Sequence, residues 1–99
     1  MSVYIIATIE IADREEYAIY ESGFMEILNK FDGQILSVDE APKVLEGNWS
    51  SSRTVLLSFS SSEKAMSWYR SEKYQELARH RFSASVANIA LIQGLEPDR

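Results

Sequence analysis

Residues 3–11, VYIIATIEI, combine β-branched and aromatic residues with a period of two, in which every odd position is apolar. A period of two places successive residues on opposite faces of an extended chain, and β-branched residues favour strands. We therefore predict a strand over residues 3–11. One of its faces carries Val3, Ile5, Ala7, Ile9 and Ile11.

From residue 13 the hydrophobic spacing lengthens to three and four, which is the spacing of one face of an α-helix. Asp13 is followed three positions later by Glu16, a variant of the capping box that opens helices. The helix is predicted to end at Asp32-Gly33, with Gly33 in the left-handed conformation that closes many helices, and a short strand follows over residues 34–38. The apolar stripe of the helix consists of Tyr17, Tyr20, Phe24, Ile27, Leu28 and Phe31.

The middle of the chain is less regular. Ala41-Pro42 interrupts the extended run, because proline has no amide hydrogen to donate to a neighbouring strand. We expect the extended run to resume over residues 43–46, and residues 47–52 are typical of a turn or loop.

The pattern of a strand followed by a helix then returns. Residues 53–59 (RTVLLSF) alternate like a strand, Ser60 and Glu63 form a second capping box, and Ser71 is placed to cap a further helical segment. A last strand is predicted over residues 86–93.

The order β-α-β-β-α-β is typical of the ferredoxin-like split motif. In this α+β fold, a four-stranded antiparallel sheet carries its helices on one face. Ninety-nine residues are the usual size of one domain. We predict a single ferredoxin-like domain over residues 1–99.

The other face of such a sheet has no helices to cover it, so its composition indicates what it meets. Its large apolar and aromatic side chains would expose a contiguous patch of the kind that marks an interaction surface, formed by Tyr4, Ile6, Leu56 and Ile92. Four other side chains are too polar for a dry interior, namely Thr8, Glu10, Ser58 and Asn88. We predict a homodimer joined sheet face to sheet face, with a cavity at or beside the interface. This open face carries Tyr4, Ile6, Thr8, Glu10, Thr54, Leu56, Ser58, Val86, Asn88, Ala90 and Ile92.

Composition narrows the possible chemistry. The chain has no cysteine and one histidine, which excludes thiolate nucleophiles and most metal sites, and we expect neither a metal nor a cofactor. The formal charge of −5 disfavours nucleic acid, whose affinity for proteins comes from clustered Lys and Arg. The longest apolar run, residues 3–9, is too short to span a bilayer and follows no basic segment. We expect a cytoplasmic protein without a membrane partner.

Three short stretches resemble one protein family. Asp32-Gly33-Gln34, the turn VLEGNW at residues 44–49 and the run SWYRSEKY at residues 67–74, followed by Arg81, are similar to domain-of-unknown-function family 1330 in the dimeric α/β-barrel superfamily. The resemblance covers most of the chain and implies a ferredoxin-like protomer that forms a dimer. It implies no reaction, because the family has no established general activity.

Arg81 is the most informative polar residue, because it shares a helical face with Tyr74, Leu77 and Ala78. A buried guanidinium group needs an acceptor, and its planar set of donors matches a carboxylate. The favoured interpretation is a structural ion pair with Glu46. Binding of a substrate carboxylate and plain exposure to solvent remain open.

Four aromatic residues are candidates for contacts with a ligand. Trp68, Tyr69 and Tyr74 have ring faces that stack on flat molecules and, in the tyrosines, hydroxyls that form hydrogen bonds. The competing interpretation is helix packing, since aromatic residues at helical spacing usually belong to a core. Trp49 either covers the mouth of the cavity or closes the edge of the sheet.

His80 is the only histidine, the residue type that ionises near neutral pH. Its position off the apolar stripe favours solvent over a catalytic role. Glu10 and Asn88 would serve as a base and an orienting amide inside a cavity, although a hydrated carboxylate at the end of a strand is the simpler interpretation of Glu10.

Three functions are consistent with these patterns. The first is binding of a small aromatic or anionic molecule in a cavity at or near the dimer interface. The second is a cofactor-independent monooxygenase or isomerase of the antibiotic-biosynthesis-monooxygenase type, which rests on analogy of fold alone. The third is an assembly module that binds no ligand.

Overall fold

A computed structural model describes residues 2–49 and 52–95. Within these residues the chain forms four strands and three helices. They are β1 (Val3–Ile11), α1 (Arg14–Lys30), β2 (Gln34–Asp39), β3 (Arg53–Phe59), α2 (Ser62–Arg70), α3 (Glu72–Ala84) and β4 (Ser85–Gln93).

The four strands form one sheet in the order β2-β3-β1-β4, and every neighbouring pair is antiparallel. β1 lies at the centre, where Ala7 is paired with Val55 of β3 on one side and with Ile89 of β4 on the other. This is the predicted ferredoxin-like α+β fold.

The period-two pattern separates the two faces of the sheet as expected. Most side chains that face the helices along β1 and β3 are almost fully buried, and Leu28 of α1 and Ala78 of α3 pack into the same core. The opposite face keeps its side chains half-buried or exposed in the single chain. The buried strand residues are Val3, Ile5, Ala7, Ile9, Leu57 and Phe59.

The end of α1 differs from the prediction. Asp32, and not Gly33, takes the left-handed conformation, with φ of 60°. Asp is among the residue types that tolerate this region, and here its carboxylate accepts a hydrogen bond of 2.7 Å from Lys64 Nζ. Gly33 is needed for space, because a Cβ atom there would lie 2.5 Å from Leu28 Cδ1 and 2.7 Å from Phe59 Cε2.

Two further boundaries are corrected. Ser61, one residue beyond the predicted Ser60, caps α2 by accepting a hydrogen bond from the amide of Lys64. Residues 43–46, expected to resume the extended run, belong to no strand, because β2 ends at Asp39 and the segment that follows Pro42 lies exposed with no neighbouring strand. The predicted loop over residues 47–52 includes residues 50 and 51, which lie outside the described part of the chain.

Candidate functional site

A cavity of about 290 Å³ lies between the helices and the sheet. Its floor is the helix-facing side of the strands, and its walls come from α1 and from the junction of α2 with α3. The sequence predicted a cavity at the open face, whereas this cavity lies on the other, helix-covered side. The difference arises because small and β-branched floor residues such as Ala7 and Val55 leave space beneath the long aromatic side chains of the helices.

The aromatic wall of the cavity is continuous. The rings of Trp68 and Tyr74 have centroids 4.2 Å apart, and the ring of Tyr69 lies 5.7 Å from that of Tyr74. Phe24 of α1 meets Trp68 edge to face at 5.9 Å. All four side chains line the cavity, so the structure brings together three of the predicted ligand-binding candidates, Trp68, Tyr69 and Tyr74.

Ser71 holds this wall in place. It ends α2 and begins α3, with φ of −62° and ψ of 145°. Its hydroxyl donates to the carbonyl of Trp68 (2.8 Å) and accepts from the amide of Tyr74 (3.2 Å). One serine therefore satisfies groups at the end of one helix and at the start of the next, which positions the two rings against each other.

The polar side of the cavity is a pair of tyrosines. The hydroxyls of Tyr20 and Tyr74 lie 2.8 Å apart in a hydrogen bond, and both side chains line the cavity. Burial raises the pKa of Tyr20 well above its usual value, and the neighbouring Tyr74 raises it further. The Tyr20 hydroxyl is therefore neutral at physiological pH.

Arg81 lies behind this pair, 4% exposed. Its Cζ atom is 5.7 Å from the centre of the Tyr20 ring and 4.9 Å from that of Phe82. Burial lowers the pKa of Arg81, but attraction to Tyr74 and Tyr20 outweighs burial and raises it. The guanidinium group is therefore a permanent buried charge one layer behind the cavity wall.

The predicted ion pair between Arg81 and Glu46 does not form. Glu46 is exposed in the segment after β2, whereas Arg81 points into the core from the inner face of α3. Within the described residues no salt bridge reaches Arg81. Spacing along the chain identified a buried arginine but could not show that its neighbours are tyrosines.

Arg53 lines the cavity at its charged edge, and the sequence analysis did not single it out. Its guanidinium group forms salt bridges with Glu21 of α1 and Glu40 beyond β2, and it lies 5.4 Å from the centre of the Tyr17 ring. Burial lowers the pKa of Arg53, but the hydrogen bonds that it donates to Glu40 and Glu21 raise it more. The available signal was alternation, because residue 53 belongs to the helix-facing set of β3 together with Val55.

Tyr20 was also missed as a functional candidate, although it was placed on the apolar stripe of α1. A tyrosine on a buried face usually finds a partner for its hydroxyl, and this was the available signal. The partner, Tyr74, is 54 residues away in the chain and is joined to Tyr20 only by the fold.

The remaining candidates do not line this cavity. Trp49 donates from Nε1 to Thr54 Oγ1 (2.9 Å) near the start of β3, an inner strand, Asn88 is exposed on the open face, and Glu46 is exposed. His80 Nδ1 lies 2.7 Å from Glu16 Oε2 on the outer side of the helices. Glu10 is exposed near the end of β1.

Metal-binding clusters and membrane-spanning helices are both absent from the described residues. No group of three or more His, Asp or Glu side chains there is placed to hold a metal ion. None of the helices formed by these residues has the length and apolar character needed to cross a membrane.

Comparison with known proteins identifies the family to which the chain belongs. A family model described as "Domain of unknown function (DUF1330)" matches residues 2–95. The chain belongs to this family. The resemblance inferred from the turn at residues 44–49 and the aromatic run at residues 67–74 is therefore confirmed. Among curated proteins, none is similar enough in sequence to count as a relative of this DUF1330 chain.

Solved structures similar to this DUF1330 chain share its fold at low sequence identity. A protein of unknown function from Rhodopseudomonas palustris has a TM-score of 0.80 at 15% identity, covering 97% of this chain and 84% of that one. SnoaB, a cofactor-independent oxygenase from Streptomyces nogalater, has a TM-score of 0.63 at 10% identity, covering 97% and 95%. A dimeric protein of unknown function and ferredoxin-like fold from Bacteroides fragilis has a TM-score of 0.59 at 11% identity, covering 94% and 96%.

Proposed function

We propose that this DUF1330 protein binds a small aromatic molecule in the cavity between its helices and its sheet. The observation that carries the proposal is a cavity of about 290 Å³ with a wall of stacked aromatic rings and a few polar groups at one side. Sites for small molecules commonly combine a mainly apolar surface with a small number of directed polar groups. The volume suits a single aromatic ring with short substituents.

A thermal-shift screen with phenols, quinols and aryl carboxylates tests this proposal. A ligand present at a hundred times its Kd stabilises the native state by about 2.7 kcal/mol, so the transition temperature rises. Ala7→Leu fills the floor of the cavity and is expected to abolish the shift. Ala18→Leu makes the same change at an exposed position of α1 and is the matched control. If no compound raises the transition temperature of the parent chain, the alternative of an assembly module without a ligand is favoured.

A second candidate is a cofactor-independent monooxygenase or isomerase. The specific support is that Trp68 and Tyr74 line one cavity with Tyr20, and that the fold is similar to that of SnoaB. In an oxygenase of this kind the substrate itself supplies the electrons to dioxygen. Oxygen uptake by quinols that bind in the screen, measured with an oxygen electrode, tests the oxygenase. Uptake no faster than in the Ala7→Leu variant would argue against it.

We also propose that two copies pair through the open faces of their sheets. The strand register places Tyr4 beside Ile92, and it places Ile6 between Leu56 and Ala90. These side chains form one apolar patch. A protein of similar fold, from Bacteroides fragilis, is described as dimeric. Light scattering at micromolar concentration is expected to give twice the chain mass of 11.3 kDa. A mass of one chain would refute the pairing.

A further inference from the structure

Three buried side-chain N–H groups of Arg81 and Trp68 have no hydrogen-bond acceptor among the described residues. Nε and Nη2 of Arg81 and Nε1 of Trp68 are each shielded from solvent with no partner among the described residues. Buried polar groups are paired in most native structures, so each exception calls for an explanation. All three groups are donors, so each of them lacks an acceptor.

The tyrosine pair adds a fourth donor. Tyr20 and Tyr74 together hold two O–H protons, and the single hydrogen bond between their oxygens uses one of them. The second proton cannot point to Arg81, because a guanidinium group has no acceptor. Within the described residues no further acceptor for either hydroxyl is found, and both side chains line the cavity. The second proton therefore points into the cavity.

Arg81 also places a positive charge next to the tyrosine pair. Arg81 is 4% exposed and forms no salt bridge with any described carboxylate, so a positive charge lies buried behind the two hydroxyls. The other charged side chains that line the cavity, Arg53 and Glu21, form a salt bridge with each other. A buried charge without a partner is costly. A negative group in the cavity near the tyrosine pair would offset that cost.

We propose that the ligand is an aromatic molecule with an acidic hydroxyl, bound as its phenolate, whose oxygen accepts the free proton of the Tyr20–Tyr74 pair. This inference rests on the binding proposed above and names the class of ligand. Arg81 acts as a positioning residue: its charge favours the anion, while the hydroxyls make the contact. A carboxylate fits less well, because Arg81 does not line the cavity and so offers it no two-pronged contact.

The ring of such a ligand has a defined place. It stacks against the wall formed by Trp68 and Tyr74, whose centroids are 4.2 Å apart, and its oxygen lies at the hydroxyl of one tyrosine. The floor around Ala7 offers the ring a surface of apolar side chains, which form no hydrogen bonds. The phenolate oxygen is then the only group of the ligand that needs a hydrogen-bond donor from the cavity.

Comparison of 4-nitrophenol with 4-nitroanisole tests the inference. The two probes share a ring and differ in that the first ionises near neutral pH, whereas its methyl ether does not. At about pH 8 we expect 4-nitrophenol to bind at least about tenfold more tightly, and its pKa to fall by about one unit on binding, which is the equivalent shift. The absorption band of the phenolate reports that pKa directly.

Two sets of variants separate the charge from the hydroxyls. Arg81→Met is expected to remove the preference for 4-nitrophenol, whereas Arg79→Met, which removes an exposed charge from the same helix, is expected to keep it. Either Tyr20→Phe or Tyr74→Phe leaves the other hydroxyl free to donate, so each single variant keeps most of the preference. The double variant, which retains both rings and so guards against loss of the fold, is expected to lose it.

The possible results distinguish the phenolate inference from the proposal that the cavity binds a small aromatic molecule. Binding of 4-nitroanisole as tight as that of 4-nitrophenol overturns the phenolate site and leaves the aromatic cavity standing. The inference also fails if the double tyrosine variant keeps the full preference. If neither probe binds the parent chain, the inference is wrong, and the proposed function is wrong as well if no compound of the thermal-shift screen raises the transition temperature.

Discussion

Asp32 and Gly33 show how two adjacent residues meet different demands at one helix end. Asp32 carries the positive φ of 60°, while Gly33 lies buried against Leu28 and Phe59. Sequence alone favoured glycine for the left-handed position, since glycine adopts it without a Cβ penalty. The close approach of the core to Gly33 was not visible in the sequence, because Phe59 comes from a distant strand.

Gly33→Ala is therefore expected to destabilise the protein. The added Cβ would lie 2.5 Å from Leu28 Cδ1, and overpacking of this kind costs about 1–3 kcal/mol. Asp32→Gly is the matched comparison: it relieves the positive φ and loses only an exposed salt bridge to Lys64, so little stability is lost. Urea denaturation measures both free energies of unfolding. Equal losses in the two variants would show that Gly33 is not limited by space.

The raised pKa of Tyr20 predicts that the protein loses stability at alkaline pH. Burial raises the pKa of Tyr20 well above the ordinary 10.0, so the folded state holds its proton more tightly than the unfolded chain does. Its contribution is therefore complete below about pH 10 and is lost as the pH rises through the folded-state pKa. Urea denaturation from about pH 8 to about pH 11 should show a steeper decline for the parent chain than for Tyr20→Phe. Parallel curves would contradict the assignment.

Among elements, the junction of α2 and α3 does the most to shape the site. The sequence predicted Ser71 as a cap because serine precedes a helical stripe, and the structure confirms it. That the same hydroxyl also binds the carbonyl of Trp68 could not be read from the pattern, since it depends on how sharply the chain turns between the helices. The candidates Trp68 and Tyr74 were thus predictable as residues, but their contact was not.

Ser71→Ala is expected to lower stability by about 1 kcal/mol, the usual effect of removing an N-terminal cap. Because the hydroxyl also fixes Trp68 relative to Tyr74, binding of an aromatic ligand should weaken as well. Ser83→Ala, an exposed change on the same helix, is the control and should alter neither quantity. Thermal denaturation and titration with a ligand from the screen measure the two effects. A variant with normal stability would rule out the cap as an important contact.

At the scale of the whole molecule, we expect the open sheet face to mediate the proposed pairing of two copies. Ile6 lies at the centre of that face, between Leu56 and Ala90. Ile6→Asp would bury a carboxylate without a partner in the proposed interface, and is expected to shift the dimer toward monomer at micromolar concentration. Ile19→Asp places the same charge at an exposed position of α1 and should leave the mass unchanged. Retention of the parent mass by Ile6→Asp would place any contact between copies elsewhere.

By itself, the sequence determined the order of the elements, the sidedness of the sheet and two of the three helix N-caps, Asp13 and Ser71. These features depend on periods of two and 3.6 residues and on contacts within a few positions, so they are present in any short window of the chain. The tertiary structure alone decided where the cavity lies and which polar groups meet there. Arg81 faces Tyr20 and Tyr74 rather than Glu46, and Tyr20 finds its partner 54 residues away. Such pairings depend on how helices pack across the sheet, and the shapes of many side chains fix that packing together.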